Sequence, residues 1–451
     1  MKSLGAGDLI PHISVPPPGP RSRDLAARLE AHESPNVTFV SQDSPIFWHE
    51  ALGANVLDVD GNIYIDLTAG FGVAAAGHRN RRVCDALRSQ LDALAHGLGD
   101  VHPPDIKIRL LERLAEITPS GLELTILASS GAEAVEAALK TSRLATGRPG
   151  VLCFGGAYHG LTYGALAVTD GDYFRKPFED QLGIPVVRIP FPNPYRPAPE
   201  LQDHGATLLQ ATLDLASQHL DADRALGAII VEPILGRGGI VVPPDGFLRG
   251  LRKLCDERSL LLIFDEVFTG FGRTGRWFAC QHESVVPDLL CLGKALTGAL
   301  PFSACIGRRE VMAAWPPSDG EAIHTSTFLG NPLGCAAALA QIDEIESERL
   351  VERSARLGEA LIDRLRRLQT RCPQIGEVRG RGLFVALELV RDPESREPDP
   401  ELARNVTSEA LRRGLILLAG GHTIEITPPL TITDEQLAFA LTALEDCLTR
   451  L

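Results

Sequence analysis

Lys294 stands out in this sequence as a candidate nucleophile, because it separates two apolar runs. LLCLG precedes it and ALTGAL follows it. Apolar surroundings disfavour the charged form of an amine and lower its pKa, and an amine that loses its proton can act as a nucleophile. A lysine in a surface turn is the alternative, and residue type alone favours it. The chain has six lysines, however, and the others lack such an apolar setting.

A second chemical group follows another apolar run, LLLIF, which ends at Asp265. The run predicts a central strand, and open α/β sheets bind ligands at the carboxyl ends of their strands. A carboxylate in such a place has little water around it and needs a cationic partner. The sequence leaves two partners open: a protonated ring nitrogen of a cofactor, or Arg273 in the same loop.

Hydroxyl, glycine and aromatic residues follow two further predicted strands. In ASSGAEAVEAALK, Ser130 and Gly131 open a helix, where free amides and the positive end of the helix dipole suit a phosphate group. N-capping by serine is the alternative. In GGAYHG, Tyr158 and His159 come just after a strand, where an aromatic ring could stack on a flat ligand or belong to the core. Thr327, in HTSTFLGNP, offers one more hydroxyl.

Together these features match the needs of pyridoxal phosphate. A lysine can form a Schiff base with the aldehyde of the cofactor, and a buried carboxylate can keep the pyridine nitrogen protonated, so that the ring accepts electrons. A helix start can hold the phosphate, and an aromatic side chain can cover the ring. We therefore predict that Lys294 is the nucleophile and that Asp265 is the partner of the ring nitrogen.

The elements that must position these residues alternate between strand and helix. Between residues 105 and 310, nearly unbroken apolar strands are separated by amphipathic helices. This pattern predicts an α/β domain with a mostly parallel sheet that helices cover on both faces. Residues 1–20, rich in proline, predict a flexible or draped arm. We expect an arm and part of a smaller α+β domain over 1–60, a large domain over 61–335 and the rest of the smaller domain over 336–451.

Composition narrows the classes of function. The formal net charge of −14 argues against nucleic-acid binding, which needs basic patches, and suits a cationic substrate. No apolar stretch approaches the roughly 18 residues of a membrane span, and the N-terminus lacks the apolar segment of a signal peptide. Nine cysteines without a CxxC pair predict reduced core residues in a cytoplasmic protein, and no metal site.

The chain resembles the class III (ornithine/GABA-type) aminotransferases, which are fold-type I pyridoxal-phosphate enzymes. The likeness rests on motifs in a shared order: DGNIYIDLTAG, SSGAEAVEAALK, AYHG, VEPI, DEVFTGFGRTG, PDLLCLGKALTGALPFSA, HTSTFLGNP, VRGRGL and TPPLTIT. The resemblance implies a seven-stranded sheet, a Schiff base on Lys294 and a bond from Asp265 to the pyridine nitrogen. The other cofactor-binding residues that it implies are Ser130, Gly131, Ala132, Tyr158, His159, Glu232, Val267 and Thr327. Thr327 is expected to reach the cofactor of a neighbouring subunit, which implies a homodimer with active sites at the interface.

Three positions depart from the family pattern. Phe268 replaces a glutamine that contacts the phenolic oxygen of the cofactor in many members. Glu425 replaces an arginine that grips a substrate carboxylate, and Arg237 replaces the glutamate that pairs with that arginine. One explanation is that the exchange only reverses a salt bridge. The other is that Glu425 favours a cationic substrate, because two facing carboxylates repel each other, and that Arg237 binds the carboxylate of the amino donor. Phe71 and Val73 lie where relatives shape the substrate pocket.

The resemblance leaves more than one reaction open. The PYRP, SREPD and EITPPLTIT segments resemble one branch of the family, the aminocaprolactam racemases and isoleucine 2-epimerase. A two-base racemase needs a second acid–base group, and those enzymes place an aspartate where this chain has Arg237. Arginine stays protonated in proteins and cannot serve as that base. We therefore expect an aminotransferase, with a racemase or epimerase and an eliminating enzyme as alternatives.

The substrates are expected to be small amines and aldehydes or ketones. An oxidised amino sugar of antibiotic biosynthesis is one candidate for a cationic substrate, and a simple diamine or amino alcohol would satisfy the same charges. A non-catalytic protein that only binds ligands is the alternative from another class. Such a protein should have lost Lys294 or Asp265, and both are present.

Overall fold

The computed structural model of the chain describes residues 4–39, 45–202 and 206–450. Contacts between residues divide the described chain into two compact units. One unit combines the residues up to 81 with those from 356 onward, and the other comprises residues 82–355. The outer limits of the predicted domains, residues 1 and 451, lie outside the described ranges, and the predicted boundaries at 60 and 335 stay predictions.

The described residues form 14 α-helices and 16 strands. The helices are α1 (Pro20–His32), α2 (Ala69–Gly72), α3 (Arg81–Ala93), α4 (Asp105–Ile117), α5 (Gly131–Thr146), α6 (Tyr163–Val168), α7 (Asp172–Arg175), α8 (Leu208–Ala222), α9 (Phe247–Arg258), α10 (Arg309–Met312), α11 (Pro332–Ser347), α12 (Leu350–Gln369), α13 (Pro400–Arg412) and α14 (Asp434–Arg450). The strands are β1 (Trp48–Leu52), β2 (Asn55–Asp58), β3 (Ile63–Asp66), β4 (Leu122–Ala128), β5 (Gly150–Phe154), β6 (Val186–Ile189), β7 (Leu226–Val231), β8 (Leu261–Asp265), β9 (Leu289–Leu292), β10 (Ser303–Arg308), β11 (Ile375–Arg381), β12 (Phe384–Asp392), β13 (Glu397–Pro398), β14 (Leu415–Ile416), β15 (Leu418–Gly420) and β16 (Thr423–Ile426).

The unit formed by residues 82–355 is built on a seven-stranded sheet in the order β4-β10-β9-β8-β7-β5-β6. The strands β9, β8, β7, β5 and β6 run parallel, while β10 pairs antiparallel with β4 and β9. All six residues of β7, LGAIIV, are buried, as expected for a strand covered on both faces. The predicted α/β fold with a mostly parallel seven-stranded sheet is confirmed.

Helix α5 packs closely on this sheet. Its small side chains Ala134, Ala137 and Ala138 are fully buried in one cluster with Ile263 of β8 and Cys291 of β9. Small residues let a helix approach the strands beneath it, because no long side chain keeps the backbones apart. The start of α5 is therefore brought to the end of the sheet at which β8 and β9 terminate.

The other unit contains two smaller sheets, β1-β2-β3-β14 and β11-β12-β16-β15, with β13 paired to β12. Two buried asparagines, one in β2 and one in the turn between β2 and β3, hold the N-terminal arm. Asn55 accepts a hydrogen bond of 2.7 Å from the Leu9 amide and donates one of 2.9 Å to the Leu9 carbonyl. Asn62 accepts from the amides of Ser14 and Val15, both at 2.9 Å. The described part of the arm is thus draped along its own unit.

Three further features bear on the class of protein. No helix in the described ranges is both long and apolar enough to cross a membrane. All nine cysteines lie in these ranges, none of them forms a disulfide, and all except Cys84 are buried. Within the same residues, no group of three or more histidine, cysteine or acidic side chains is arranged to hold a metal ion.

Candidate active site

Four parallel strands deliver the predicted residues to one edge of the large sheet. Asp265 is the last residue of β8, and Lys294 follows β9 by two residues. Tyr158 and His159 come shortly after β5, and Glu232 comes directly after β7. Because the carboxyl ends of parallel strands meet at the same edge, these side chains lie where doubly wound sheets bind their ligands.

The buried carboxylate of Asp265 is paired with the imidazole of His159. His159 Nδ1 lies 2.8 Å from Asp265 Oδ2, and the amide of Val267 donates a hydrogen bond of 3.0 Å to Asp265 Oδ1. The side chains of His159 and Asp265 are 0% and 5% exposed. Because an ionised carboxylate only accepts hydrogen bonds, we assign the donor role in this contact to Nδ1. The side chain that contacts Asp265 is therefore His159, which the sequence did not single out as its partner.

The second ring nitrogen of His159 has a different environment. Its Nε2 atom is buried and has no hydrogen-bond partner among the described residues. The backbone beside it is fixed: the His159 amide donates to Thr169 Oγ1, and that hydroxyl donates to the Gly160 carbonyl, both at 2.9 Å. Buried polar atoms without partners are uncommon in folded proteins. The site thus holds a rigid imidazole whose outer nitrogen is available to a further group.

Glu232 joins two backbone segments of the site. Its carboxylate accepts hydrogen bonds of 2.9 Å from the amides of Tyr158 and Gly236. Burial raises the pKa of Glu232 to about 7; the neighbouring His159 opposes the increase, and the charge of Asp265 adds to it. One buried carboxylate therefore sets the spacing between the loop that carries Tyr158 and the loop that carries Arg237. The sequence offered only the VEPI motif as a sign of this role.

Lys294 is half-buried and opens a short 3-10 helix, Lys294–Leu296. Its φ of 43° lies in the left-handed region, which is costly for a residue with a Cβ and is over-represented at active sites. Its Nζ atom is 3.8 Å from the centroid of the Phe268 ring, within the range of a cation–π contact. Phe268, which departs from the family pattern, therefore touches the predicted nucleophile.

The start of α5 combines a capping box with a tight backbone approach. Ser130 Oγ accepts from the Glu133 amide at 3.3 Å, and the Glu133 carboxylate accepts from the Ser130 amide at 3.2 Å. A Cβ atom on Gly131 would lie 2.9 Å from Val267 Cγ1, so only glycine fits beside that side chain. The N-capping alternative is thus confirmed. The close approach also leaves the first amides of the helix beside Val267, two residues after the predicted partner of the ring nitrogen.

Tyr158 presents its ring to an arginine. The Cζ atom of Arg237 lies 4.5 Å from the centroid of the Tyr158 ring and 5.6 Å from that of Phe174. Phe174 was not singled out by the sequence, because DYFRKPF contains no motif and the contact joins distant parts of the chain. A stack of arginine on aromatic rings is visible only when the loops are folded together.

Thr327 belongs to the same unit as the residues described above. It is exposed in the loop before α11, and its contact with a neighbouring subunit stays a prediction.

The predicted substrate residues Phe71, Val73 and Glu425 belong to the other unit. Phe71 is 59% exposed with a φ of 61°, and Val73 is half-buried. Glu425 is 8% exposed in β16, and strand register places it in one row with Ala386 and Arg379. Arg379 forms ion pairs with the two acidic residues Glu377 and Glu388.

The sequence model of the family described as "Aminotransferase class-III" matches residues 38–448. The chain belongs to the class III aminotransferases. Within this family it is 40% identical over 431 residues to the 4-aminobutyrate aminotransferase of Mycobacterium leprae, covering 94% of this chain and 95% of that one. It is also 36% identical over 444 residues to an alanine/serine racemase of Pyrococcus horikoshii, covering 96% and 92%.

Solved transaminase structures have the same fold as this class III aminotransferase. An amine transaminase from an uncultivated Pseudomonas species, in its PLP-bound form, superposes with a TM-score of 0.87 and 31% identity, covering 93% of this chain and 98% of that one. A thermostable (S)-enantioselective omega-transaminase from Thermomicrobium roseum gives a TM-score of 0.87 and 30% identity, covering 95% and 98%. The predictions of fold, family and a pyridoxal-phosphate-dependent transaminase are confirmed.

The cofactor of this aminotransferase is pyridoxal 5'-phosphate, and the residues at the edge of the sheet fit it. A strained lysine follows β9, a buried carboxylate ends β8, and at Gly131 the start of α5 approaches Val267 too closely for any side chain. His159 adds a fixed imidazole with one unsatisfied nitrogen to the same region. A nucleophilic amine, an anionic partner for a ring nitrogen and a helix start for a phosphate are the groups that this cofactor requires.

Proposed function

We propose that this aminotransferase moves an amino group between an amino donor that bears a carboxylate and an aldehyde or ketone that bears positive charge. The observation that carries the proposal is the setting of Arg237, whose exposed guanidinium is stacked on Tyr158. A guanidinium is a permanent cation whose planar N–H groups match a carboxylate. An oxidised amino sugar is one acceptor of the proposed kind, and a keto derivative of a diamine is another.

The cofactor residues are assigned as follows in this proposal. When bound, pyridoxal phosphate supplies an electron-accepting ring that stabilises negative charge at a carbon of the substrate. Lys294 is the attachment point, Asp265 binds the ring nitrogen, and Val267 and Tyr158 are assigned to the two ring faces. The remaining contacts are assigned to Ser130, Gly131, Ala132, His159, Glu232 and, from a neighbouring subunit, Thr327.

Lys294 is also the residue to which we assign proton transfer. In its uncharged form the amine can accept the proton that the substrate carbon loses, and as an ammonium group it can return one. The ring of Phe268, 3.8 Å from Nζ, stabilises the ammonium form and keeps water from that side of the amine.

Glu425 is proposed to select positive charge on the acceptor. A buried carboxylate repels an anionic substrate and attracts a cationic one. Arg379 stands in the same row of the sheet but two strands away, and it pairs with Glu377 and Glu388. A reversed salt bridge between Glu425 and Arg237 is the alternative explanation of the exchanged charges. Phe71 and Val73 are proposed to shape the substrate pocket.

Racemisation is the second candidate function, because a relative with 36% identity is an alanine/serine racemase. The two reactions differ in their need for an amino acceptor. Incubation with a chiral amine in D₂O, with and without a keto acid, separates them. Transamination predicts that more than one equivalent of amine per active site is consumed only when the keto acid is present. Inversion with deuterium uptake in its absence would establish racemisation instead.

We also propose a homodimer. Its support is a set of exposed large apolar side chains in the unit formed by residues 82–355, which includes Leu91, Leu94, Leu98, Ile323 and Phe328. His96 packs against the Phe328 ring with centroids 5.2 Å apart, so the segment that follows α3 and the Thr327 loop lie side by side. Light scattering of the purified protein measures the mass directly. A cytoplasmic location stays a prediction.

The test of the proposed function is a screen of amino donors and acceptors with the holoenzyme. Each donor is added alone, and the conversion of the pyridoxal form of the cofactor to the pyridoxamine form is followed by its absorption spectrum; each acceptor is then tested for reversing the change. We expect donors with a carboxylate and acceptors with a positive charge to react fastest. A screen in which neutral or anionic acceptors react best would contradict the proposed substrate class.

A further inference from the structure

The guanidinium of Arg237 lies against two aromatic rings that touch each other. The rings of Tyr158 and Phe174 meet edge to face, with centroids 5.7 Å apart, and Arg237 Cζ lies over both. Within the described residues of its own unit, Arg237 forms no ion pair. A guanidinium that lies over aromatic rings still has N–H groups that do not face the rings, and these can bind another partner.

Phe174 reaches this position because of the turn before α7. Gly171 has a φ of 97°, which residues with a Cβ rarely adopt, and its carbonyl accepts a hydrogen bond of 3.1 Å from the Phe174 amide. The neighbouring Asp170 ties this turn to the loop that carries Tyr158, because its amide donates to the Ala157 carbonyl at 2.8 Å. The two rings are therefore set by backbone contacts rather than by a flexible surface segment.

The backbone beside Arg237 is fixed as well. Glu232 accepts from the amide of Gly236, the residue before the arginine, and from the amide of Tyr158. The base of the arginine side chain and the base of one stacking ring are thus held by the same buried carboxylate. Both ends of the arginine, its backbone and its guanidinium, are ordered by groups of the same unit.

We propose that Phe174 is a positioning residue that sets substrate specificity: together with Tyr158 it holds Arg237 so that the edge of the guanidinium receives one substrate carboxylate. This inference rests on the proposed function, in which Arg237 binds the carboxylate of the amino donor. A long side chain that is ordered before the ligand arrives loses less rotamer entropy on binding. Ligands with a carboxylate gain from this order, and their neutral analogues do not.

Butyrate and butyramide are suitable probes, because they differ in charge and hardly in shape. Each is titrated into the holoenzyme, and binding is measured by calorimetry. The wild-type protein is expected to prefer butyrate, and Phe174→Leu is expected to reduce that preference about fivefold. Phe174→Tyr, which retains an aromatic ring, is expected to keep it. Phe178→Leu is the matched control, since its ring packs on Tyr163.

The same variants give a kinetic test that a merely structural role would not pass. With a donor that carries a carboxylate, Phe174→Leu is expected to raise KM about fivefold and to leave kcat within about twofold. With a carboxylate-free amine, both values are expected to stay near those of the wild type. Phe174→Met, which keeps an unbranched apolar side chain, repeats the test if the leucine variant folds poorly.

Arg237→Ala separates this inference from the proposed function. If this variant keeps the preference for butyrate, Arg237 does not bind the carboxylate, and both proposals are overturned. If Arg237→Ala loses the preference and Phe174→Leu keeps it, the role of Arg237 stands and the role of Phe174 is wrong. In the Arg237→Ala background, Phe174→Leu is expected to have no further effect on the preference for butyrate over butyramide. An additional loss of that preference in the double variant would also overturn the positioning role.

Discussion

His159 Nδ1 lies 2.8 Å from Asp265 Oδ2 at the carboxyl edge of the large sheet, and the side chains of both residues are buried. The pair places a fixed imidazole behind the carboxylate that we assign to the ring nitrogen of the cofactor. Removing one partner of a buried hydrogen bond leaves the other partner desolvated and unpaired, which costs about 1–3 kcal/mol. His159 should therefore act on catalysis through Asp265.

Replacement of His159 tests that role. We expect His159→Ala to lower kcat by about fivefold to a hundredfold, the equivalent of about 1–3 kcal/mol. His159→Asn is the matched control, because its amide can donate to Asp265 from nearly the same position, and a smaller loss is expected. Steady-state kinetics at saturating cofactor measures both. Equal losses in the two variants would contradict a role through this hydrogen bond.

Asp265→Asn should separate charge from hydrogen bonding at the same position. The asparagine keeps a polar side chain of the same size but cannot neutralise a protonated ring nitrogen. We expect kcat to fall about a hundredfold or more, as when a preorganised charged or polar group is removed from an active site. Cofactor affinity, measured by titration of the apoenzyme, should change much less, because other residues are assigned to the phosphate. Parallel losses in kcat and affinity would argue against this division of roles.

The pKa of Glu232, raised to about 7 by burial, predicts a pH dependence of stability. Its ordinary value is 4.5, so between these two pKa values the folded state binds more protons than the unfolded state, and the free energy of unfolding falls as pH rises. The contribution of Glu232 is therefore most favourable below its ordinary pKa and is lost as pH rises through about 7. We expect Glu232→Gln to remove this component, so that the stability difference between wild type and variant changes over this window. Urea unfolding at a series of pH values measures it, and a constant difference would contradict the shift.

Glu425→Gln tests whether the exchanged charge selects the substrate. Loss of a charge-assisted contact should weaken a cationic acceptor about tenfold, while the KM of the amino donor stays nearly unchanged. Glu377→Gln is the matched control from the same sheet, because Glu377 pairs with Arg379. If Glu425→Gln leaves the ratio of the two KM values as it is in the wild type, Glu425 has a structural role only.

The attachment point of the cofactor can be located chemically. After borohydride reduction of the holoenzyme and proteolysis, mass spectrometry should find the cofactor on the peptide that contains Lys294. Lys294→Ala should abolish the adduct. Lys107→Ala is the matched control, because burial lowers the pKa of Lys107 while its Nζ donates to the Gly99 carbonyl at 2.8 Å. An adduct that persists in Lys294→Ala would remove the basis of the assignment.

Much of the fold could be predicted from local patterns. Unbroken apolar strands alternating with amphipathic helices predict a buried parallel sheet, since both faces of such strands must be covered. Asp265 and Lys294 were recognisable because a charged residue directly after an apolar run stands out against its neighbours. Their meeting at one edge follows from the parallel direction of β8 and β9.

The partners of those residues could not be predicted in the same way. Asp265 had two candidate partners in sequence, and the structure pairs it with His159, which is 106 positions away. The contact between Phe268 and Lys294 and the stack of Arg237 on Phe174 likewise join residues from different loops. Hydrogen bonds and ring contacts depend on distances of a few ångström, and no spacing along the chain specifies those distances.

Amino-acid order alone was enough to establish the class of sheet, the family and the two residues expected to carry the chemistry, because burial periodicity and ordered motifs are properties of short segments. Which imidazole pairs with Asp265, which carboxylate holds the Tyr158 and Arg237 loops together, and which rings the arginine lies over were decided only when the strands were assembled. These contacts arise from the packing of segments far apart in the chain, where backbone direction and burial determine which groups meet.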